Sequence, residues 1–181
     1  MLFQTKTLSD YQIYEISSYT DDKIFDWAEV CGMGKGDARW FAQARNEAFK
    51  SDFHTAKLGC VLVYKNHILS VGHNKAKTDP VQRRYNTKYR AFTRTGAFIQ
   101  NCGHTIHAEM DALKTVPYPI AQQVEWKNVD VYVYRVGWGL DDYTGLALPC
   151  PACAHALSDI GIRHVYYTTG HDDMQFGHCD I

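Results

Sequence analysis

Long apolar runs are what this chain of 181 residues lacks first. Its most apolar stretch, Leu58 to Tyr64, falls far short of the ~20 residues that cross a bilayer, and the N-terminus has no basic segment leading into an apolar one. A soluble, cytoplasmic protein without membrane contact is therefore expected. Proline is scarce, and no Ser, Gly or Pro tract marks a flexible boundary between folded units, which predicts a single domain with no internal repeat. Neither charge dominates: 19 Lys and Arg against 20 Asp and Glu leave a formal charge of −1, unlike the strongly basic balance that generic nucleic-acid binding favours. Without a secretion signal, the six cysteines read as thiols or metal ligands rather than as a disulfide framework.

The balanced total hides a local excess. From Lys75 to Arg94 the cations Lys75, Lys77, Arg83, Arg84, Lys88, Arg90 and Arg94 meet one acid, Asp79, and no further acid follows until Glu109. That stretch can receive a phosphate, and lacking clear periodicity from Lys75 to Gly103 it is expected to be a long loop.

Elsewhere the pattern is regular. Residues before Gly32 show no sustained period beyond a short helix over 22–30, and 1–35 is taken as an N-terminal extension to a domain over 36–181. Gly32, Gly34 and Gly36 around Lys35 lack the spacing and preceding strand of a phosphate loop and are read as a flexible turn. Asp37 is expected to cap a helix running to about Lys50, with Phe41, Ala44 and Ala48 at helical spacing. Leu58 to Tyr64 and Ile68 to Gly72, joined by Lys65-Asn66-His67, read as a hairpin. Thr105 can cap a helix in which Ile106, Met110 and Leu113 share a face and which Pro117 and Pro119 end. Val129, Val131 and Val133 alternate with Asp130, Tyr132 and Tyr134 as in a half-buried strand. A glycine-containing loop follows, then a helix opened by Pro149-Cys150-Pro151-Ala152-Cys153 and stopped at Gly161, then a strand from Ile162 to Thr169. Helix, hairpin, helix, strand, helix, strand implies an α/β fold: a three-layer α/β/α sandwich with a mixed central sheet flanked by helices.

Cys150 and Cys153, three apart at a helix start, place two sulfurs within reach of one ion at the end of the helix that favours thiolates. Alone, that pair equally fits a redox couple or half a structural zinc site. His107-Ala108-Glu109 adds a third ligand and a nearby carboxylate. Three protein ligands leave a fourth tetrahedral position for water, whose pKa zinc can bring to about 7, and Glu109 can then move its proton. Taken singly, His107 reads as a partly exposed helix residue and Glu109 as a first-turn acid favoured by the helix dipole. It is the H-x-E and P-C-x-x-C combination that forms the signature of zinc deaminases.

Together, His107-Ala-Glu109-Met-Asp-Ala-Leu and Pro149-Cys150-Pro-Ala-Cys153 resemble the cytidine and deoxycytidylate deaminase superfamily, over about Gly36 to Thr169. The resemblance implies that family's sandwich fold, a Zn2+ cofactor held by His107, Cys150 and Cys153, and Glu109 as acid and base. Gly72-His73-Asn74 resembles the family's Gly-x-Asn, which implies an Asn74 side-chain contact to sugar or base, against the turn role that Asn favours anyway. The Ala108 amide is implied to meet the base. A homo-oligomer is implied as well. The stretch from Gly137 to Leu148 is longer than the family's usual connection.

A histidine as first ligand leans away from free cytidine. The leading expectation is conversion of dCMP to dUMP and ammonia, with Arg83 and Arg84 the first choices for the 5′ phosphate, against a merely solvated pair. A polynucleotide deaminase acting on tRNA or single-stranded DNA is the alternative, with Tyr85, Tyr89 or Phe92 stacking on bases. A third reading is a structural zinc protein that binds a partner, its fourth ligand drawn from Cys31, Cys60, Cys102, His104 or Cys179; Cys102 and His104 also suggest an accessory zinc.

Overall fold

The computed structural model describes residues 5–7, 35–54, 56–89, 104–136, 144–169 and 176–181. The helix expected over 22–30, together with Gly32, Gly34, Cys31, Arg90, Phe92, Arg94 and Cys102, lies outside the described residues.

In chain order the elements are β1 (Thr5–Thr7), α1 (Lys35–Ala48), β2 (Leu58–Tyr64), β3 (His67–His73), β4 (Lys75–Thr78), α2 (Pro80–Tyr89), β5 (Thr105–Ile106), α3 (Ala108–Thr115), α4 (Tyr118–Ala121), β6 (Val129–Arg135), α5 (Pro151–Asp159), β7 (His164–Thr168) and β8 (Phe176–Asp180). A six-stranded mixed sheet runs β1-β8-β7-β6-β2-β3. Among the described residues only β6 and β7 pair in parallel, and α5 supplies the crossover that a parallel pair requires. Helix α1 packs on one face, through Phe41, Ala44 and Ala48 against Val61, Val63, Tyr132 and Tyr134. Helices α3 and α5 cover the other, where Ala108, Ala112 and Leu157 meet Cys60, Leu62, Val131, Val133 and Val165. The three-layer sandwich and mixed sheet expected from the sequence are present. Each fully buried Val or Leu on these strands contributes about 1.5–3 kcal/mol of hydrophobic stabilisation.

The hairpin link needs two left-handed residues, and Lys65 and Asn66 supply them with φ of 49° and 63°. Gly161 follows α5 at φ +101°, as a left-handed stop should. Gly72 serves close approach instead. A Cβ there would collide with the backbone of Ala108 and Ala112, so the bare strand lets α3 lie flat on β3. Hydrogen bonds fix that contact: Ser70 Oγ to Ala112 O at 2.8 Å, Thr115 Oγ1 to Val71 O at 3.0 Å, and the His73 amide to Asp111 Oδ2 at 3.1 Å.

Four local expectations are corrected. Over residues 75–89 the stretch expected as a loop with at most a helical turn is instead regular: it opens with β4, paired to β5, and continues as the ten-residue α2. Asp79 starts α2 by accepting from the Val81 and Gln82 amides, each at 2.9 Å, with Pro80 at the first helical position. This helix hides no apolar stripe, since its buried residues are Gln82 and Asn86. Thr105 is not a cap but lies in β5, and α3 begins later with His107 at the N-cap. Gly36 is helical rather than part of a turn, because α1 begins at Lys35; Asp37 thus sits in its first turn and accepts from Tyr132 Oη at 2.5 Å.

Beyond residues 137–143, which are not described, the chain returns beside the ends of β6 and β7. Thr144 bridges Val136 and Leu146 bridges Thr169, while the Gly145 amide donates to Arg135 O at 2.9 Å.

Candidate active site

Two helix starts face each other. His107 stands at the N-cap of α3 and Cys150 at the N-cap of α5, with Cys153 buried one turn in. His107 Nδ1 lies 3.6 Å from Cys150 Sγ and 3.4 Å from Cys153 Sγ, and the three donor atoms fall within 4.8 Å of one another. Bonds of about 2.3 Å to sulfur and 2.0–2.1 Å to nitrogen, spread tetrahedrally, separate N and S by about 3.6 Å. One borderline nitrogen and two soft sulfurs at such spacings fit Zn2+. Among the described residues no fourth His, Cys, Asp or Glu donor lies within 4.8 Å of all three. Cys60 and Cys179 are buried in the core under the sheet, where burial pushes both thiols up, Cys179 to about 12.

The thiols share a proton unequally. The Cys153 thiol donates to Cys150 and holds it down at about 4, helped by His107 and opposed by burial. The same bond, then burial, pushes Cys153 up. The lowered Cys150 thiol suits a metal ligand, and metal binding would release the remaining thiol proton.

Glu109 is 3% exposed, and its Oε2 has no hydrogen-bond partner among the described residues. Leaving a buried carboxylate oxygen unmet costs about 1–3 kcal/mol or more, a cost that a water or substrate proton removes. Burial pushes its carboxyl up, while the His107 ring beside it pulls the other way. Ala108, fully buried, is the first residue of α3, and its amide has no intrahelical partner by position.

Asn74 is buried at the end of β3 with both ends of its amide engaged. Its Oδ1 accepts from the Leu58 amide at 2.8 Å, and Nδ2 donates to Ala56 O at 2.6 Å, tying the approach to β2. Arg83 and Arg84 are exposed on α2. That helix packs on α5 through Tyr85, whose hydroxyl donates to Asp159 Oδ2 at 2.7 Å, and through Tyr89, whose ring stacks on His155 at 3.7 Å.

Residues to which the sequence reading gave no structural role complete the support. Gln82, fully buried, accepts the His107 amide on Oε1 at 3.1 Å and donates through Nε2 to Asn86 Oδ1 at 2.9 Å. Asp111 takes Lys75 Nζ at 2.8 Å as well as the His73 amide, and Asp79 pairs with Lys114. These lysines, with Lys77, Thr78, Pro80 and Ile106, line a cleft of about 360 Å³. No pattern of type or spacing marked Gln82, since a glutamine in a polar helix resembles any solvated residue.

Residues 35–169 match the cytidine and deoxycytidylate deaminase zinc-binding region, and the chain belongs to that family. It is thereby a zinc-dependent deaminase. No curated protein matches it significantly in sequence. Among solved structures it is similar to the dCMP deaminase of cyanophage S-TIM5 in apo form, at 19% identity and TM-score 0.43 over 74% of this chain and 82% of that one. The same phage enzyme in complex with dCMP and dUMP aligns at 17% identity and TM-score 0.41, over 74% and 80%. RibD of Acinetobacter baumannii aligns at 18% identity and TM-score 0.39, over 75% of this chain and 28% of that one. Among the described residues no helix is long and apolar enough to cross a membrane.

Proposed function

We propose that the chain deaminates a cytosine nucleotide hydrolytically, converting dCMP and water to dUMP and ammonia. The observation that carries this reading is the buried, unpartnered Glu109 oxygen beside an N/S/S donor set with no fourth protein ligand among the described residues. His107, Cys150 and Cys153 hold the zinc. Bound there, zinc supplies the Lewis acidity that makes a water nucleophilic near neutral pH. Glu109 takes a proton from the attacking water and delivers it to ring N3 as the new C–O bond forms at C4. It then carries the second proton to the exocyclic amine, which leaves as ammonia as the C–N bond breaks. Its raised affinity for protons suits a group that must both accept and donate. The Ala108 amide meets the base, and Asn74, held by Leu58 and Ala56, contacts the sugar or base with its remaining amide proton or oxygen lone pair.

The exposed Arg83 and Arg84 are the cations proposed for the 5′ phosphate, while Lys75 and Lys114 are engaged by Asp111 and Asp79. Tyr85 and Tyr89 are committed to the α2–α5 contact, which supports a free nucleotide over a polynucleotide stacked on those rings. A homo-oligomer working in the cytoplasm belongs to the same proposal. The test is ammonia release from dCMP, CMP, deoxycytidine and a cytosine-containing DNA oligonucleotide in parallel. Fast turnover of dCMP is expected. Activity on the oligonucleotide alone would move the assignment to polynucleotide deamination.

A further inference from the structure

Strands β7 and β8 pair antiparallel with His164 opposite Asp180 and Tyr166 opposite His178, so these four residues share one face of the sheet. There two imidazoles converge on a single carboxylate oxygen. His164 Nδ1 lies 3.0 Å and His178 Nε2 3.5 Å from Asp180 Oδ1, and the three donors fall within 4.8 Å of one another. An ion bonded at about 2.0–2.1 Å to nitrogen and oxygen separates its ligands by about 2.9 Å at right angles and about 3.4 Å tetrahedrally. The His164–Asp180 spacing falls in that range and the His178–Asp180 spacing lies just above it.

The cluster is also held in place. The His178 ring packs at 4.7 Å on Tyr166 and at 5.5 Å on His164. All three ligands stand on paired strands, which fix side-chain directions better than loops do. Asp130 stands opposite His164 on β6 and adds a second carboxylate to the same row. Side-chain exposures of 44% for His164, 26% for His178 and 63% for Asp180 leave an open path for an ion and for the waters completing its shell.

We propose that His164, His178 and Asp180 form a second metal site, separate from the His107–Cys150–Cys153 centre, that takes a first-row divalent transition ion of the Zn2+ class. Two imidazoles and one carboxylate favour Zn2+, Ni2+ or Co2+ over Mg2+ and Ca2+, which prefer all-oxygen shells. An ion there clasps β8 to β7 and so secures the strand that carries residues 176–180. This assignment is independent of the deaminase reading, since no group of the reaction takes part in it.

The test is equilibrium dialysis of the whole chain against Zn2+, comparing wild type with His178→Gln and Asp180→Asn. Each variant should bind one equivalent less than wild type. Co2+ loading separates the two centres, because only the cysteine-containing one gives intense thiolate-to-cobalt absorption. That absorption should persist in both variants while the weaker bands of the N/O site disappear. Should His178→Gln fail to fold, the exposed Asp180→Asn carries the comparison. Equal metal counts in wild type and Asp180→Asn would overturn the proposal.

Discussion

Helices α2 and α3 both end near the metal ligands, yet they are held by opposite means. Helix α3 buries Ala108, Glu109, Met110, Asp111 and Ala112 and lies directly on β3 across the bare backbone of Gly72. Helix α2 buries only Gln82 and Asn86, is started by Asp79, and reaches the site through Gln82, which accepts from the His107 amide and also hydrogen-bonds Cys153. The tightly packed helix therefore carries His107 at its start and the buried Glu109, and the polar one holds the His107 amide from behind. A site that must hold a metal and a proton carrier in register combines van der Waals contact, which tolerates no added atom, with hydrogen bonds that fix one torsion each.

The sharpest test of the contrast lies at the facing helix starts themselves. Cys150→Ser should reduce bound zinc at the His107 centre and abolish deamination, read by metal analysis and ammonia release on the same sample. Next comes the packed helix: Gly72→Val, whose side chain would drive into Ala108 and Ala112, is expected to cost about 3 kcal/mol or more in urea unfolding and to lower metal affinity. Gln82→Ala tests the polar helix. Its loss leaves the part-buried His107 amide without its acceptor, for about 1 kcal/mol or more in stability, and Gln82→Glu, which keeps an acceptor, should restore part of it. Equal damage from Gln82→Ala and Gln82→Leu at unchanged metal affinity would mean the helix only packs.

The smallest effect expected is at the start of α2. Asp79→Ala removes the cap and should cost about 0.5–2 kcal/mol. Burial pushes the Asp79 carboxyl up, but the Lys114 bond and the Gln82 and Val81 amides outweigh it and hold it below its ordinary value of 3.8. With the folded value depressed, the contribution is complete above the unfolded value and fades as pH falls through the folded one. The acid limb of wild-type stability below about pH 4 should therefore be steeper than that of Asp79→Ala.

The same contrast explains what could be read in the sequence. Apolar residues at helical or alternating spacing disclosed α1, α3 and the strands β2, β3, β6 and β7, because each buries one apolar face. The H-x-E and P-C-x-x-C pairs pointed to His107, Cys150 and Cys153, which the structure brings together, and to Glu109, which it buries, since metal chemistry restricts residue type and spacing together. Helix α2 hid because its buried face is glutamine and asparagine, and polar burial leaves no periodic mark. Asp79-Pro80 was its one local signal, a cap followed by a first-turn proline, lost within a run of cations. Asp111 and Lys75 were opaque for a different cause: their pairing joins residues 36 positions apart and exists only once α3 lies on β3.

The central claim is that Glu109 moves protons at a metal centre built by other residues. Ammonia release from dCMP should therefore be compared between wild type and Glu109→Gln at equal zinc content. A fall in kcat of about 10²–10⁴ with zinc retained is the predicted result. Unchanged turnover at matched zinc would contradict the account.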